Sequence, residues 1–466
     1  MARSDLSINA FLENGSSRIP VCVRYVSKYS LLIRSLEHPI FAYGSDSFNL
    51  IIQNNGNRLE LGPCRIVSEP HDDEYSGHLI FLSDVYDMHS LLFEDKVVKL
   101  QGAFCDLPAI LERKDNIRQS FKEYTANLTY DLTVYKNLFD HIDSKYQEEP
   151  EAIRDSIQKA LIKTEGQKFK RFLDQKLNEL ELLVADFSQE EHQRHGFYFR
   201  KQLWNFLLCS PLMARTNLKP RGYSGDSEIM RMIYLNDYQG ESTFSKLLNK
   251  HGVEHTAAQS VRNRVALIVQ KLLNFQKSPN KFSIDKLKIL SLGCGPAFEI
   301  REILRSSNDC NKYHFALLDQ DPIALSEAAR LIQDIEYKLN TKTNVDYIQG
   351  SVRTMIFSKS LEQKWGQFHF IYSMGLFDYL TNPVASAVIK KIYQLLKPGG
   401  EMVVGNFHVS NPSKYYMEYW CDWVLYLRTE EEFRDLIGDD SSANVSVIFE
   451  NTGSQMFLHI KKQVDS

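Results

Sequence analysis

Three groups of residues have the types and spacing that chemistry uses. The first is Gly293, Cys294 and Gly295, which end the apolar run beginning at Lys288, together with Asp319, which ends the next apolar run in HFALLDQD. Glycines at such a turn let the backbone close on a ligand that a Cβ would hold off, and free amides at the following helix start attract negative or polar groups. An acid roughly twenty residues further on is placed to take both hydroxyls of a ribose. The set reads as a cofactor site, although a short glycine turn by itself is also what a merely tightened loop looks like. The second group is Arg221 to Asp226, RGYSGD, which reads as a loop folding over that cofactor from outside, or as a helix-entry turn capped by Asp226. The third is His192 and His195 after Glu190 and Glu191, two imidazoles three residues apart. A metal would need a third ligand, and none is identifiable, so a solvated pair and no metal are expected.

The elements that must position these residues follow from periodicity. Ala297, Ile300, Ile303 and Leu304 give a helix after the glycine turn, and the runs Val345–Gly350, Phe368–Met374 and Gly400–Phe407 give further strands, each separated by a helical stretch. That alternation predicts an α/β parallel sheet wound on both faces. Val445–Glu450 and Met456–Lys461, joined by Asn451 to Ser454, add a terminal antiparallel hairpin. A parallel sheet finished in this way resembles the class I (Rossmann-like) methyltransferase fold that uses S-adenosylmethionine (SAM). A nicotinamide dehydrogenase would instead bring a third motif glycine and no hairpin.

Upstream, residues 1–112 hold short alternating strands at Val21–Val26, Ser30–Arg34, Phe48–Gln53, Leu59–Val67 and His78–Leu82, which predicts a small β-barrel. The stretch Val23 to Arg34 faintly resembles the PilZ domain, which binds a cyclic dinucleotide. Tyr25 stands where its acid would be, Ser30 where its glycine would be, and no arginine pair precedes them. The module is therefore expected to be a degenerate PilZ-like barrel used for docking or dimerisation. Residues 113–215 become helical. Ile117, Phe121, Tyr124, Leu128, Leu132, Tyr135, Leu138 and Ile142 form one stripe, and a second helix after Pro150 carries Ile153, Ile157, Leu161, Phe169, Phe172, Leu173, Leu177 and Leu180, interrupted only at Gly166. This helical hairpin is a connector or a partner surface, and it or the barrel is the candidate seam of a homodimer. Residues 216–466 form the third region. It opens with the 221–226 loop and a helix with a Thr256–Gln259 capping box, whose Arg262 and Arg264 lie off the apolar stripe.

Composition narrows the function classes. The chain of 466 residues is 43% hydrophobic with a net charge of −4, so it has ample core material and no basic footprint for nucleic acid. Seven scattered cysteines without a Cys-x-x-Cys pair indicate a reducing compartment. With no leader and no apolar run of membrane-spanning length, a cytoplasmic protein without a membrane span is expected.

From about Pro220 onward the motifs RGYSGD, ILSLGCGPAFEI, LLDQD, IYSMGLFDYL, LKPGG and VGNFHVSNPSKYYMEYWCDWVLYLR are similar to those of the bacterial methyltransferases that make 3-hydroxypalmitic acid methyl ester, a secreted quorum-sensing signal. The resemblance implies SAM as cofactor. Gly293, Cys294, Gly295, Pro296 and Ala297 would lie beside its methionine part, with Ala297 replacing a third glycine and Ser291 an acid often found in the first strand. Asp319 and Gln320 would hold the ribose, Gly350, Ser351 and Val352 the adenine, and Ser373, Met374 and Gly375 would face the sulfonium. Methyl transfer is an in-line displacement that needs alignment and exclusion of water. A fatty-acid carboxylate is already ionised and needs no general base, only a hydrogen-bonding partner and a channel for its acyl chain. Tyr223, Tyr379, Asn406, His408, Tyr415, Tyr416, Trp420 and Trp423 would supply polar handles on large apolar bodies, with Tyr223, Asp226 and His408 as catalytic candidates. For a hydroxyl or amine acceptor, Asp226 or His408 would be the base. The motif Asn411-Pro412-Ser413-Lys414 does not sit directly after the fourth strand, which argues against base methylation. The leading expectation is a fatty-acid carboxyl methyltransferase. A small-molecule O- or N-methyltransferase of secondary metabolism, or a regulatory protein that senses SAM or a nucleotide without turnover, stands as the alternative.

Overall fold

The computed structural model describes residues 8–15, 17–26, 31–37, 47–54, 57–67, 75–81, 116–277, 286–358, 360–438 and 443–463. The chain divides into two compact units, one of residues 1–112 with 351–361 and 381–391, the other of the remainder.

The first unit contains a six-stranded antiparallel sheet: β1 (Ile8–Asn14), β2 (Ser17–Val26), β3 (Leu31–Ser35), β4 (Ser47–Asn54), β5 (Asn57–Val67) and β6 (Ser76–Phe81). The strands lie in the order β1-β2-β3-β6-β5-β4, and the sheet curls so that β1 also pairs with β4 over Ala10–Glu13. Alternation drives the curl, with Leu12, Val21, Val23, Leu31, Ile33, Leu50, Leu61 and Leu79 pointing into one apolar core. Ile8–Asn14 is a strand beyond the five expected, with Ala10 and Leu12 buried on its inner face. β5 runs through Gly62-Pro63, where a register shift opposite Asn49 and Leu50 absorbs the proline. The side chains of Tyr25 and Ser30 lie outside the described residues.

The second unit is built on a seven-stranded mixed sheet. Its strands are β7 (Leu287–Leu292), β8 (Tyr313–Asp319), β9 (Asn344–Gln349), β10 (Phe368–Ser373), β11 (Leu396–Phe407), β12 (Ala443–Phe449) and β13 (Gln455–Lys462). The order is β12-β13-β11-β10-β7-β8-β9, parallel except for the terminal hairpin. After β7 the chain winds outward to β8 and β9, then returns to the other side of β7 as β10. That reversal opens a crevice at the carboxyl ends of β7 and β10, the place where such sheets bind ligands. β11 opens at Leu396, before the expected start at Gly400, with Gly399 at φ 76° and a register shift between Phe368 and Phe370.

Helices α1 (Gln119–Lys145), α2 (Glu151–Lys163), α3 (Glu165–Val184), α4 (Gln189–Gln202), α5 (Pro211–Leu218), α6 (Ser227–Leu235), α7 (Thr243–Glu254) and α8 (Thr256–Lys277) precede the sheet. The second predicted helix breaks at Thr164, giving α2 and α3, and Gly166 lies so close to α7 that a Cβ there would stand 2.7 Å from Leu247. Leu138 and Ile153 are exposed rather than packed, because α1 turns Phe139 inward and α2 buries no residue. The α1 and α3 stripes close on α7 and on Tyr416, Tyr419 and Trp420 in one core, so this helical layer is part of the sheet unit rather than a free-standing connector. α8 is capped by the Ser413 hydroxyl, which accepts from Ala257 N–H at 2.8 Å, while the expected capping partner Gln259 is spent on Asn263 and Arg262.

Candidate active site

The glycine turn forms as the sequence requires. Gly293, Gly295 and Ala297 take φ of 64°, 53° and 52°, and a Cβ at Gly295 would meet open space, so the turn leaves room above itself. Gly293 and Cys294 both donate backbone N–H groups to Leu318 O, which ties the turn to the end of β8. Cys294 is buried, and burial pushes its thiol well above the usual range, so it is a packing residue. Asp319 lies across the crevice with its two oxygens accepting from Gly295 N–H at 2.8 Å and Asp321 N–H at 2.9 Å, while its backbone carbonyl accepts from Gly350 N–H. Its burial raises the carboxyl above the usual carboxylate range. Asp321 caps α9 (Pro322–Leu339) through Ile323 N–H, with Pro322 at the first helical position. Ser351 caps the helix Val352–Phe357, and these residues belong to the other compact unit.

The 221–226 loop arches over the acids of this crevice. Arg221 bridges Asp321 at 3.0 Å and Glu327 at 3.2 Å, and the Tyr223 hydroxyl donates to Asp321 at 3.4 Å. Burial beside Asp319 and Asp321 pushes the Tyr223 phenol up, which keeps it a hydrogen-bond donor. Gly225 rests on the sheet's carboxyl edge, where a Cβ would stand 2.2 Å from Tyr379 Oη and 2.7 Å from Trp423. Trp423 Nε1–H in turn donates to Tyr379 Oη at 2.9 Å. One loop therefore touches both the cofactor-side acids and an aromatic pair at the end of β10.

Several sequence-predicted site residues are placed elsewhere. Asp226 is fully buried as the N-cap of α6 and takes both bonds of Arg215 Nε, at 2.9 and 2.8 Å, which commits it to structure. His408 follows the carboxyl end of β11, with Nδ1 on Ser410 Oγ and its ring against Phe449 of the hairpin. Asn406 donates to Phe407 O and Tyr426 O and accepts from Arg428, which leaves it no donor for a ligand. Tyr415 stacks on His192, and Tyr416 on His255 with ring centroids 4.5 Å apart and Trp420 on its other neighbour side, all in the helical core. These rings are large because they fill a helical layer.

The histidine pair is also structural rather than solvated. His195 is fully buried, donates Nδ1–H to Glu191 O and accepts Arg118 N–H at Nε2, while His192 meets the Tyr419 hydroxyl at 3.0 Å. Among the described residues no three His, Cys, Asp or Glu side chains are grouped to hold a metal ion, and no helix is long and apolar enough to cross a membrane.

At the end of β10, where Ser373, Met374 and Gly375 were expected, Ser373 donates its hydroxyl to Leu292 O, locking β10 to β7. Met374 O accepts from Arg264 at 3.3 Å and from Gln455 Nε2 at 2.7 Å. Arg264, off the apolar stripe of its helix, is nevertheless buried, and a Cβ on Gly375 would come within 2.8 Å of its Nη1. Glu299 is buried at the start of the short helix Glu299–Ile303 and accepts from the Tyr372 hydroxyl. Asp378 accepts Phe407 N–H, and burial lifts it to about 6. Burial of Glu299 and Arg264 had no local sequence signal, since Arg264 lies off the apolar stripe of its helix.

Residues 289–400 match the family model described as "Methyltransferase domain". The sheet unit carries a SAM-dependent methyltransferase domain. No curated protein matches the chain. Among solved structures, a protein described as a possible exported protein from Bordetella parapertussis is 15% identical, with 64% of this chain and 97% of that chain covered at a TM-score of 0.43. The magnesium protoporphyrin IX methyltransferase of Synechocystis PCC 6803 is 13% identical, with 45% and 88% covered and a TM-score of 0.33. The N-methyltransferase NodS of Bradyrhizobium japonicum WM9 is 12% identical, with 42% and 86% covered and a TM-score of 0.30. The methyltransferase domain fits its cofactor on its own geometry: the turn at Gly295 is open above, and the Asp319 carboxylate is fixed beside it by two amides.

Proposed function

We propose that this methyltransferase esterifies the carboxylate of a small amphiphilic acid, with a 3-hydroxy fatty acid as the leading acceptor. The observation that carries the reading is the commitment of the two carboxylates beside Tyr379. Asp226 is bound by Arg215 and Asp378 by the Phe407 amide. With those carboxylates committed, the chemistry suits a nucleophile that arrives already ionised, and a carboxylate is ionised near neutral pH. SAM supplies a methyl group on a sulfonium. Asp319 is assigned to the ribose hydroxyls, the turn 293–297 and Ser373 to Gly375 to the remainder of the cofactor, and Tyr223 to the cover over them. Tyr379 and Trp423 form the acceptor wall, where a phenol and an indole offer donors on apolar bodies. The 221–226 loop excludes water from that wall.

The test is methyl transfer from labelled SAM to a panel of acids, alcohols and amines of graded chain length. Ester formation on acids, rising with chain length, is expected. Transfer confined to amines or alcohols would overturn the carboxylate reading, and cofactor binding without transfer to any acceptor would overturn catalysis in favour of a sensor.

A further inference from the structure

Helix α1 has two faces of opposite character. On the inner one Phe121, Leu128, Leu132 and Phe139 are buried in the helical core. On the outer one the exposed positions recur at spacings of three and four, and from Ala126 to His141 none of them is Asp, Glu, Lys or Arg. Tyr130, Val134 and Leu138 mark this strip, at 72%, 50% and 61% exposure. A solvated helix face is ordinarily charged, as on the neighbouring helices: α2 exposes Glu151, Arg154, Asp155, Lys159 and Lys163, and α3 exposes Lys168, Arg171, Asp174 and Glu181. An aromatic and aliphatic strip depleted of charge is the composition found at the centre of a protein–protein contact. Charge returns to this face of α1 at the two ends of the strip, as exposed Glu123 and exposed Lys145.

Those ends decide what covers the strip. Glu123 and Lys145 each lie eleven residues from Val134, an acid and a base at equal distances from the middle. Such a face is complementary to itself turned end for end: with a two-fold axis through Val134, Glu123 meets Lys145 of the partner subunit, and the same pair forms again across the axis. A surface patch that contacts its own copy across a two-fold axis is the commonest arrangement in soluble oligomers. Shape agrees with charge. Tyr130 falls opposite Leu138 in that register, and a helical side chain leans toward its own N-terminus, which carries the ring on toward positions 141 and 142 of the facing helix. At those positions a groove of about 400 Å³ opens between α1 and α2, lined by His141, Ile142, Lys145, Tyr146, Ile157 and Leu161. We infer that α1 pairs antiparallel with α1 of a second copy of this chain, with Val134 on the axis and Tyr130 seated in the groove of the facing copy. Each strip is roughly 33 Å long and about 10 Å wide. With the α2 side of the groove added, the contact lies at the low end of specific interface sizes, and a micromolar association is expected. The inference depends on neither the cofactor nor the acceptor assignment.

The experiment is sedimentation velocity of the full-length protein over a dilution series from about 200 to about 1 μM. The wild type should pass from twice its 54.0 kDa mass to that mass as it is diluted. Val134→Glu sets two like charges against each other on the axis yet leaves the new side chain solvated in a single copy. It should weaken association at least ~10-fold with unchanged helix content by circular dichroism. A charge swap tests the register. Glu123→Lys and Lys145→Glu each bring like charges together twice and should weaken the dimer by about 5-fold, and the two substitutions combined should restore it. A wild type that stays at 54.0 kDa throughout overturns the inference. So does a dimer indifferent to Val134→Glu, which would place the seam elsewhere, or a double variant no tighter than the single ones. A monomer in which the thiol of Tyr130→Cys resists labelling would assign the strip to another part of the same chain and overturns it as well. If Val134→Glu fails to fold, the charge-swap series decides by itself.

Discussion

Gly225 shows how much a missing Cβ can position. The loop backbone lies where a methyl group would collide with Tyr379 Oη and Trp423, so the close approach of the loop to the aromatic pair depends on this glycine. Gly225→Ala should push either the loop or the two rings aside. Because Arg221 and Tyr223 still hold Asp321, cofactor affinity should stay within a few-fold of wild type while turnover falls at least ~10-fold, as expected when alignment is lost. Steady-state kinetics alongside cofactor titration check this, and unchanged turnover would detach the pair from the acceptor. Legibility at this scale was uneven for physical reasons. The glycine turn and Asp319 were readable because backbone geometry demands those residue types. Tyr415, Tyr416 and Trp420 were misread because an aromatic side chain looks the same in a binding wall and in a helical core, and only packing separates the two.

Elements hold the site through a few buried polar pins, and His369 is one of them. On β10 it accepts Lys288 N–H at Nδ1, joining the start of β7, and faces Lys397 at the opening of β11 through Nε2. Burial, with Lys397 nearby, lowers it to about 4. A base whose folded pKa is depressed contributes stability that is complete above its unfolded value near 6.5 and is lost as pH falls through about 4. His255, buried against Tyr416, and His192 are likewise held near 4 and add to the same window. The melting temperature should therefore fall steadily between pH 6.5 and 4. His369→Asn, which keeps an acceptor for Lys288, should flatten that fall, a shift of this size being worth up to about 3 kcal/mol. A pH profile identical to wild type would contradict the assignment. The strands themselves were legible from alternation and turns. The helix breaks were not, because Thr164 gives way to α3 through the close packing of Gly166 on Leu247, a tertiary contact that no local pattern encodes.

At the scale of the molecule, the parallel sheet and its antiparallel hairpin follow from the order of strand and helix signals, and the winding reversal at β7 and β10 then fixes where a ligand must lie. The helical layer was harder to read as a layer, since its stripes show that something covers them without saying that the cover comes from residues 416–421 far downstream. The proposed site depends on one carboxylate, Asp319, which is held by the amides of Gly295 and Asp321 and which we assign to the ribose. The most direct test is calorimetric titration of S-adenosylhomocysteine into the full-length protein and into Asp319→Ala. One equivalent should bind the wild type, and the variant should lose about 100-fold in affinity, as for two hydrogen bonds to a charged group. Unaltered affinity in the variant, or no binding to the wild type, would contradict the site described here.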